Sequence, residues 1–80
     1  MKAMKTVITV DKGIMGGQPV FKGTRVPVES LFMHLEKGIS VNEFLQDFPT
    51  VKKSQVKYVL EIAEKLLSSS KIEALIKTIA

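Results

Sequence analysis

Lys52, Lys53, Ser54, Lys57 and Tyr58 crowd into one short stretch, and their shared chemistry is that of contact with a polyanion. Lysines at such a surface release counterions from phosphates. The Ser54 and Tyr58 hydroxyls can donate or accept at base edges or phosphates. Glu61, further along the same face, repels phosphate and limits that contact. Lys22 and Arg25, in the run Lys-Gly-Thr-Arg, are candidates for further phosphate contacts from a separate part of the chain. Arg25 carries an equal structural alternative, because a guanidinium can tie several carbonyls or a carboxylate near a turn. Other chemistries lack their residues. There is no cysteine for a disulfide or a thiolate metal site. His34 is the single histidine, too few for a histidine metal site or a Ser-His-Asp triad, and is expected on a helix surface or partly buried and satisfied. Asp11, Glu29, Glu36, Glu43 and Asp47 are scattered over a loop and helix faces, with no spacing that forces a pair beside a base or nucleophile. Gly16-Gly17 and Gly23 lack the lysine-hydroxyl ending and the helix start of a phosphate loop. Neither an enzyme nor a cofactor nor a metal is expected.

The elements that must position these side chains follow from apolar spacing. Val7, Ile8 and Val10, with Thr6 and Thr9, predict a strand over Lys5–Val10. Gly16-Gly17 predicts a turn with positive φ. Pro19–Phe21 and Thr24–Val28 are two further extended segments, the second confined to an edge by Pro27. From Glu29 the period changes to that of a helix, with Val28, Leu31, Phe32 and Leu35 on one face and Gly38 as its left-handed end. Ser40 and Glu43 predict a capping box for a short second helix, Val41–Asp47, with Ile39 and Phe44 as a hydrophobic staple and Pro49 as the stop. A third helix starts near Lys52–Ser54. Its apolar stripe is Val56, Val59, Leu60, Ala63, Leu66 and Leu67, and the opposite face holds Ser54, Lys57, Tyr58, Glu61 and Lys65. Ser70 and Glu73 open a fourth, amphipathic helix whose stripe of Ile72, Leu75, Ile76 and Ile79 is too apolar to be left in water.

A helix, a glycine turn, a short helix, a four-residue connection over Phe48–Val51 and a longer, basic-started helix make a helix-turn-helix pattern. The expected fold is mainly α. It has a tri-helical, homeodomain-like core over residues 29–67, a β-rich arm over 1–28 and a C-terminal helix over 70–79, all in one domain of 80 residues. In that geometry the third helix presents Lys53, Ser54, Lys57 and Tyr58 to a major groove, with Lys52 and Lys53 near phosphates.

The charge distribution is compatible with such a contact, although charge alone fits ordinary surface solvation better. The formal net charge is +4, with a basic arm and a basic last third flanking an acidic middle. A core of this size is marginal alone, so a homodimer or a partner is expected. The Met-Lys-Ala-Met-Lys-Thr start lacks the apolar run of a signal peptide, and no stretch approaches the roughly 20 apolar residues of a membrane span. A cytoplasmic protein with no membrane partner is the expectation.

The run Gly16-Gly17-Gln18-Pro19-Val20-Phe21-Lys22-Gly23-Thr24-Arg25-Val26-Pro27-Val28 resembles the hallmark of the prokaryotic domain-of-unknown-function family numbered 433. The likeness continues through Leu35, Gly38-Ile39-Ser40, Glu43, Phe44-Leu45, Asp47-Phe48-Pro49 and from Val56 to Ala63. It implies a helix-turn-helix-type fold behind a short β-rich segment. It also implies the antitoxin half of a type II toxin–antitoxin pair, which binds a PIN-like nuclease toxin and, as a dimer, its own operator DNA. One departure is Lys52, which stands where the family has a hydroxyl cap for the third helix; Ser54 is the alternative cap. A second is the Ser70–Ala80 extension, whose stripe must dock on the core, a second copy or a partner, with a dimer or toxin contact favoured over internal packing. The competing expectation is a protein-interaction module without DNA binding, acting through the Ile72–Ile79 stripe and the β arm.

Overall fold

Two consecutive prolines would stop a helix; here Pro19 and Pro27, eight positions apart, instead frame a folded arm. In the computed structural model, which describes residues 7–68, that arm contains β1 (Ile8–Thr9) and β2 (Val20–Phe21). They pair antiparallel, with Ile8 opposite Phe21 and Thr9 opposite Val20. Of the described part of Lys5–Val10 only Ile8–Thr9 is strand, and β2 is one residue shorter than Pro19–Phe21 predicts. Residues 24–28 form no strand, and an isolated bridge joins Val20 to Pro27. The backbone closes around β2 on both sides: the Lys22 N–H donates to the Val7 carbonyl at 2.8 Å and the Phe21 N–H to the Val26 carbonyl at 3.0 Å. Both residues of β2 are fully buried, so no exposed face remains to give the alternation of a surface strand.

Between the strands the chain makes a single 3-10 turn, Met15–Gly17. Gly16 and Gly17 have φ of 69° and 91°, as their pairing predicts, and Met15 joins them at 51°. The Gln18 side chain then donates to Glu29 Oε2 at 3.0 Å, pinning this turn to the start of the first helix.

Helix α1 (Val28–Glu36) begins one residue before the predicted Glu29, because Pro27 holds the extended backbone that precedes a helix. It ends where Gly38 predicts. Gly38 lies at φ 81°, its N–H donates to the Leu35 carbonyl at 3.0 Å, and the Ile39 N–H donates to the His34 carbonyl at 2.9 Å. That pair of bonds is a Schellman motif. Helix α2 (Val41–Asp47) carries the predicted capping box: Ser40 Oγ accepts from the Glu43 N–H at 3.1 Å, and Glu43 Oε1 reaches back to the Ser40 N–H at 3.5 Å. Helix α3 (Lys53–Ser68) follows a connection of Phe48–Lys52, one residue longer than predicted.

Phe21 of β2, Leu31 of α1, Phe44 of α2, Val51 of the connection and Val56 and Val59 of α3 form the buried centre. The Phe21 and Phe44 rings lie 6.2 Å apart, and Phe44 and Phe48 lie 4.9 Å apart. One predicted face needs correction. Phe32 is 39 % exposed, whereas His34 packs edge-on against Phe44 and Phe48 at 5.2 Å and 5.5 Å. Leu31 is the centre of the buried stripe, and Phe32 is turned about 100° from it. The His34 ring completes its polar needs locally, donating from Nδ1 to the Ser30 carbonyl at 2.7 Å, with Nε2 4.0 Å from Asp47 Oδ2. The α3 stripe is likewise shorter than its pattern: Val56 and Val59 are buried, but Leu66 and Leu67 are 46 % and 60 % exposed.

The C-terminal helix over 70–79, with Ile72, Leu75, Ile76 and Ile79, lies outside the described residues, as does the start of the first predicted strand. Among the described residues, no helix is long and apolar enough to cross a membrane.

Candidate nucleic-acid interface

The first turns of α3 are set by what lies behind them. Val51 is 4 % exposed and plugs the end of the connection into the core, where its N–H donates to the Phe48 carbonyl at 3.0 Å. The chain then emerges at Lys52. Lys52, Lys53, Ser54 and Lys57 are all exposed, and Tyr58 is half-buried. Among the described residues, the side chains of Lys52, Lys53 and Lys57 make no ion pair, so their charge faces outward. Glu61 is exposed on the same side of the helix. Lys52, Lys53 and Lys57 thus form an exposed cationic stretch that Glu61 interrupts before Lys65.

Lys52 has no hydroxyl, yet the helix start is capped. Gln55, the third helical residue, accepts from the Lys52 N–H through Oε1 at 2.9 Å. The Lys52 carbonyl accepts from the N–H groups of Gln55 and Val56 at 3.0 Å and 3.2 Å. This is the returning half of a capping box without its forward half. Ser54 is not the cap; it lies inside the first turn and is exposed.

Gln55 also reaches the arm. Its Nε2 donates to the Lys22 carbonyl at 3.1 Å, thirty-three positions away in sequence. The Lys22 turn and the start of α3 are thereby neighbours, and the two sets of candidate cations lie at one end of the fold. Lys22 is exposed, and so is Arg25. The structural role open to Arg25 is filled by Thr24 instead. Thr24 is 9 % exposed; its hydroxyl donates to the Phe21 carbonyl at 2.8 Å and accepts from the Val26 N–H at 3.0 Å. Arg25 makes no ion pair or side-chain hydrogen bond among the described residues, which leaves its guanidinium available to a partner.

Sequence reasoning missed Gln55 and Thr24, and each left a signal. Gln55 stands three residues after Lys52, the glutamine position of a capping box, and about 40° from Val59 around the helix. Thr24 follows Gly23 at a turn, where a hydroxyl commonly bonds the nearby backbone.

The family profile described as "Protein of unknown function (DUF433)" matches residues 8–63. The chain belongs to the DUF433 family. The DUF433 match spans β1 through most of α3 and so includes Lys22, Thr24, Arg25, Gln55, Lys52 and the four candidates on α3. An uncharacterized protein, y4eO of Sinorhizobium fredii (strain NBRC 101917 / NGR234), is 31% identical over 64 residues. That similarity covers 80% of this chain and 29% of y4eO, so the chain spans less than a third of that relative's length. No solved structure matches. Neither description assigns a catalytic activity to this DUF433 chain. Among the described residues, no group of three or more histidines, aspartates or glutamates could hold a metal ion.

Proposed function

We propose that this chain is an antitoxin-like DNA-binding protein that acts as a homodimer, engages operator DNA through the start of α3 and the Lys22 turn, and binds a PIN-like nuclease toxin. The observation that carries the DNA half is the outward, unpaired display of Lys53 and Lys57 at the start of a helix that follows a short one and shares its core through Phe44, Val56 and Val59. Lys22 and Arg25 extend that cationic end. The toxin half rests on the resemblance of the Gly-Gly-Gln-Pro and Gly-Thr-Arg-Val-Pro-Val elements to antitoxin-like proteins.

The test is a salt titration of binding to DNA from upstream of the chain's own gene, beside a scrambled fragment. A specific regulator binds the upstream fragment more tightly and with a steep salt dependence. Replacing Lys53 and Lys57 together by Ala lowers the slope by about 2 and weakens both fragments similarly. An unchanged slope removes these lysines from the interface. Equal, weak binding to both fragments removes the operator.

A second reading, a protein-interaction module without DNA binding, is favoured by the exposure of Phe32, Met33, Leu66 and Leu67. In that case a partner is captured with no salt-dependent DNA binding.

A further inference from the structure

A glutamine in the first turn of a groove-facing helix is ordinarily a reader of adenine, through its paired donor and acceptor. Gln55 is excluded from that role. It is 7 % exposed, and both ends of its carboxamide are committed, Oε1 to the Lys52 N–H and Nε2 to the Lys22 carbonyl. The amide orientation is fixed by these partners: turned over, it would set its NH₂ against an N–H and its oxygen against a carbonyl.

We infer that Gln55 is a positioning residue that locks the Lys22 turn to the start of α3, so that the arm and the helix grip a polyanion as one rigid footprint. The inference rests on the DNA-contact reading above and adds a cause for its geometry. Within the arm the Lys22 turn is held by its own N–H on the Val7 carbonyl and by the Thr24 hydroxyl, and a lysine contributes most to binding when its placement against the neighbouring helix is fixed beforehand. Here the buried Gln55 side chain bonds the turn to α3 and caps the helix with its other end. Capping and arm placement are thus coupled: the rotamer that satisfies the Lys52 N–H is the one that holds the Lys22 carbonyl.

The coupling is separable by substitution. Gln55→Glu keeps an acceptor for the Lys52 N–H at a helix N-terminus, where a carboxylate is tolerated. It sets its second oxygen against the Lys22 carbonyl, and the tie becomes a repulsion. Gln55→Met fills similar volume with neither bond and is the second variant should the charged one fail to fold.

The experiment compares the full-length chain with Gln55→Glu, Gln55→Met, Lys22→Ala and the Gln55→Glu/Lys22→Ala pair. The first readout needs no DNA: trypsin cleavage after Lys22 and Arg25 in the folded chain. Release of the turn raises cleavage at these two sites several-fold over cleavage after Lys37 and Lys57. A rise shared equally by all sites means general destabilisation, and no rise means no tie; either overturns the inference. The second readout is the salt slope on duplex DNA. Gln55→Glu and Lys22→Ala each lower it by about 1, and the pair lowers it no further than either alone. A slope that falls in Lys22→Ala but not in the Gln55 variants overturns the footprint. If the unaltered chain binds no DNA at all, the DNA-contact reading and the footprint fail together, while trypsin still decides whether Gln55 holds the turn.

Discussion

Thr24 does the work that its neighbour's guanidinium is chemically equipped for. Its hydroxyl is buried, donates to one backbone group and accepts from another, and so closes the turn between β2 and the Val26–Pro27 segment. Thr24→Val keeps the shape and the β-branch but leaves the Val26 N–H without its acceptor. The expected cost is about 1–3 kcal/mol, the range for an unsatisfied buried donor. Thr24→Ser retains both bonds and costs less. Arg25→Ala, at an exposed position with no partner among the described residues, changes stability by no more than about 0.5 kcal/mol. Urea midpoints at constant m distinguish the three. A large loss in Arg25→Ala, with Thr24→Val unaffected, would return the structural role to Arg25. The difference matters for function as well, since an Arg25 released from structural duty is a cation that can be lost from the surface without disturbing the fold.

At the scale of elements, the parts legible in the sequence are those whose signals are local. Gly38 marks the end of α1, Ser40 with Glu43 marks the start of α2, and Pro49 marks its end, because caps and breakers act within one turn of backbone. Ser40→Ala therefore removes a real cap: about 1 kcal/mol of stability is expected to go, a fall of roughly 5 °C in Tm for a domain of this size. A Tm unchanged within error would mean that α2 is held by Phe44 and its ring neighbours alone. What was illegible depended on pairing across the chain. The extent of β1 and β2 is set by which backbone groups find partners from Val7 to Val28, and propensity does not encode that. The same holds at the candidate interface. The lysines of α3 are legible because exposed charge follows from helical spacing. Their proximity to Lys22 was not, because it runs through one amide bonded across thirty-three positions. Burial at the edges of stripes was also misjudged. His34 takes the core flank that hydrophobicity assigns to Phe32, since its ring packs edge-on against both Phe44 and Phe48 while its nitrogens face polar groups.

For the whole molecule, the question is where so small a core ends. Every residue of its buried centre lies between Phe21 and Val59. Beyond that centre α3 continues to Ser68 with Leu66 and Leu67 partly exposed, and Phe32 and Met33 on α1 are exposed too. Apolar surface of this kind on a marginal domain favours association. Ending the chain after Ser69 removes the Ile72, Leu75, Ile76 and Ile79 stripe while leaving the described core's own residues in place. If that stripe forms the dimer contact, the full chain sediments as a dimer and its Tm rises with concentration, because association stabilises the folded state by mass action. The shortened chain then unfolds cooperatively as a monomer, with a Tm independent of concentration. Loss of cooperative unfolding would show instead that the stripe completes this core. A shortened chain that still dimerises would move the contact to the Phe32 and Met33 side of α1. The DNA measurement separates the same cases independently. A two-fold assembly reads paired half-sites, so a monomeric shortened chain loses the advantage of an inverted repeat over a single half-site while keeping the salt slope per half-site set by Lys53 and Lys57.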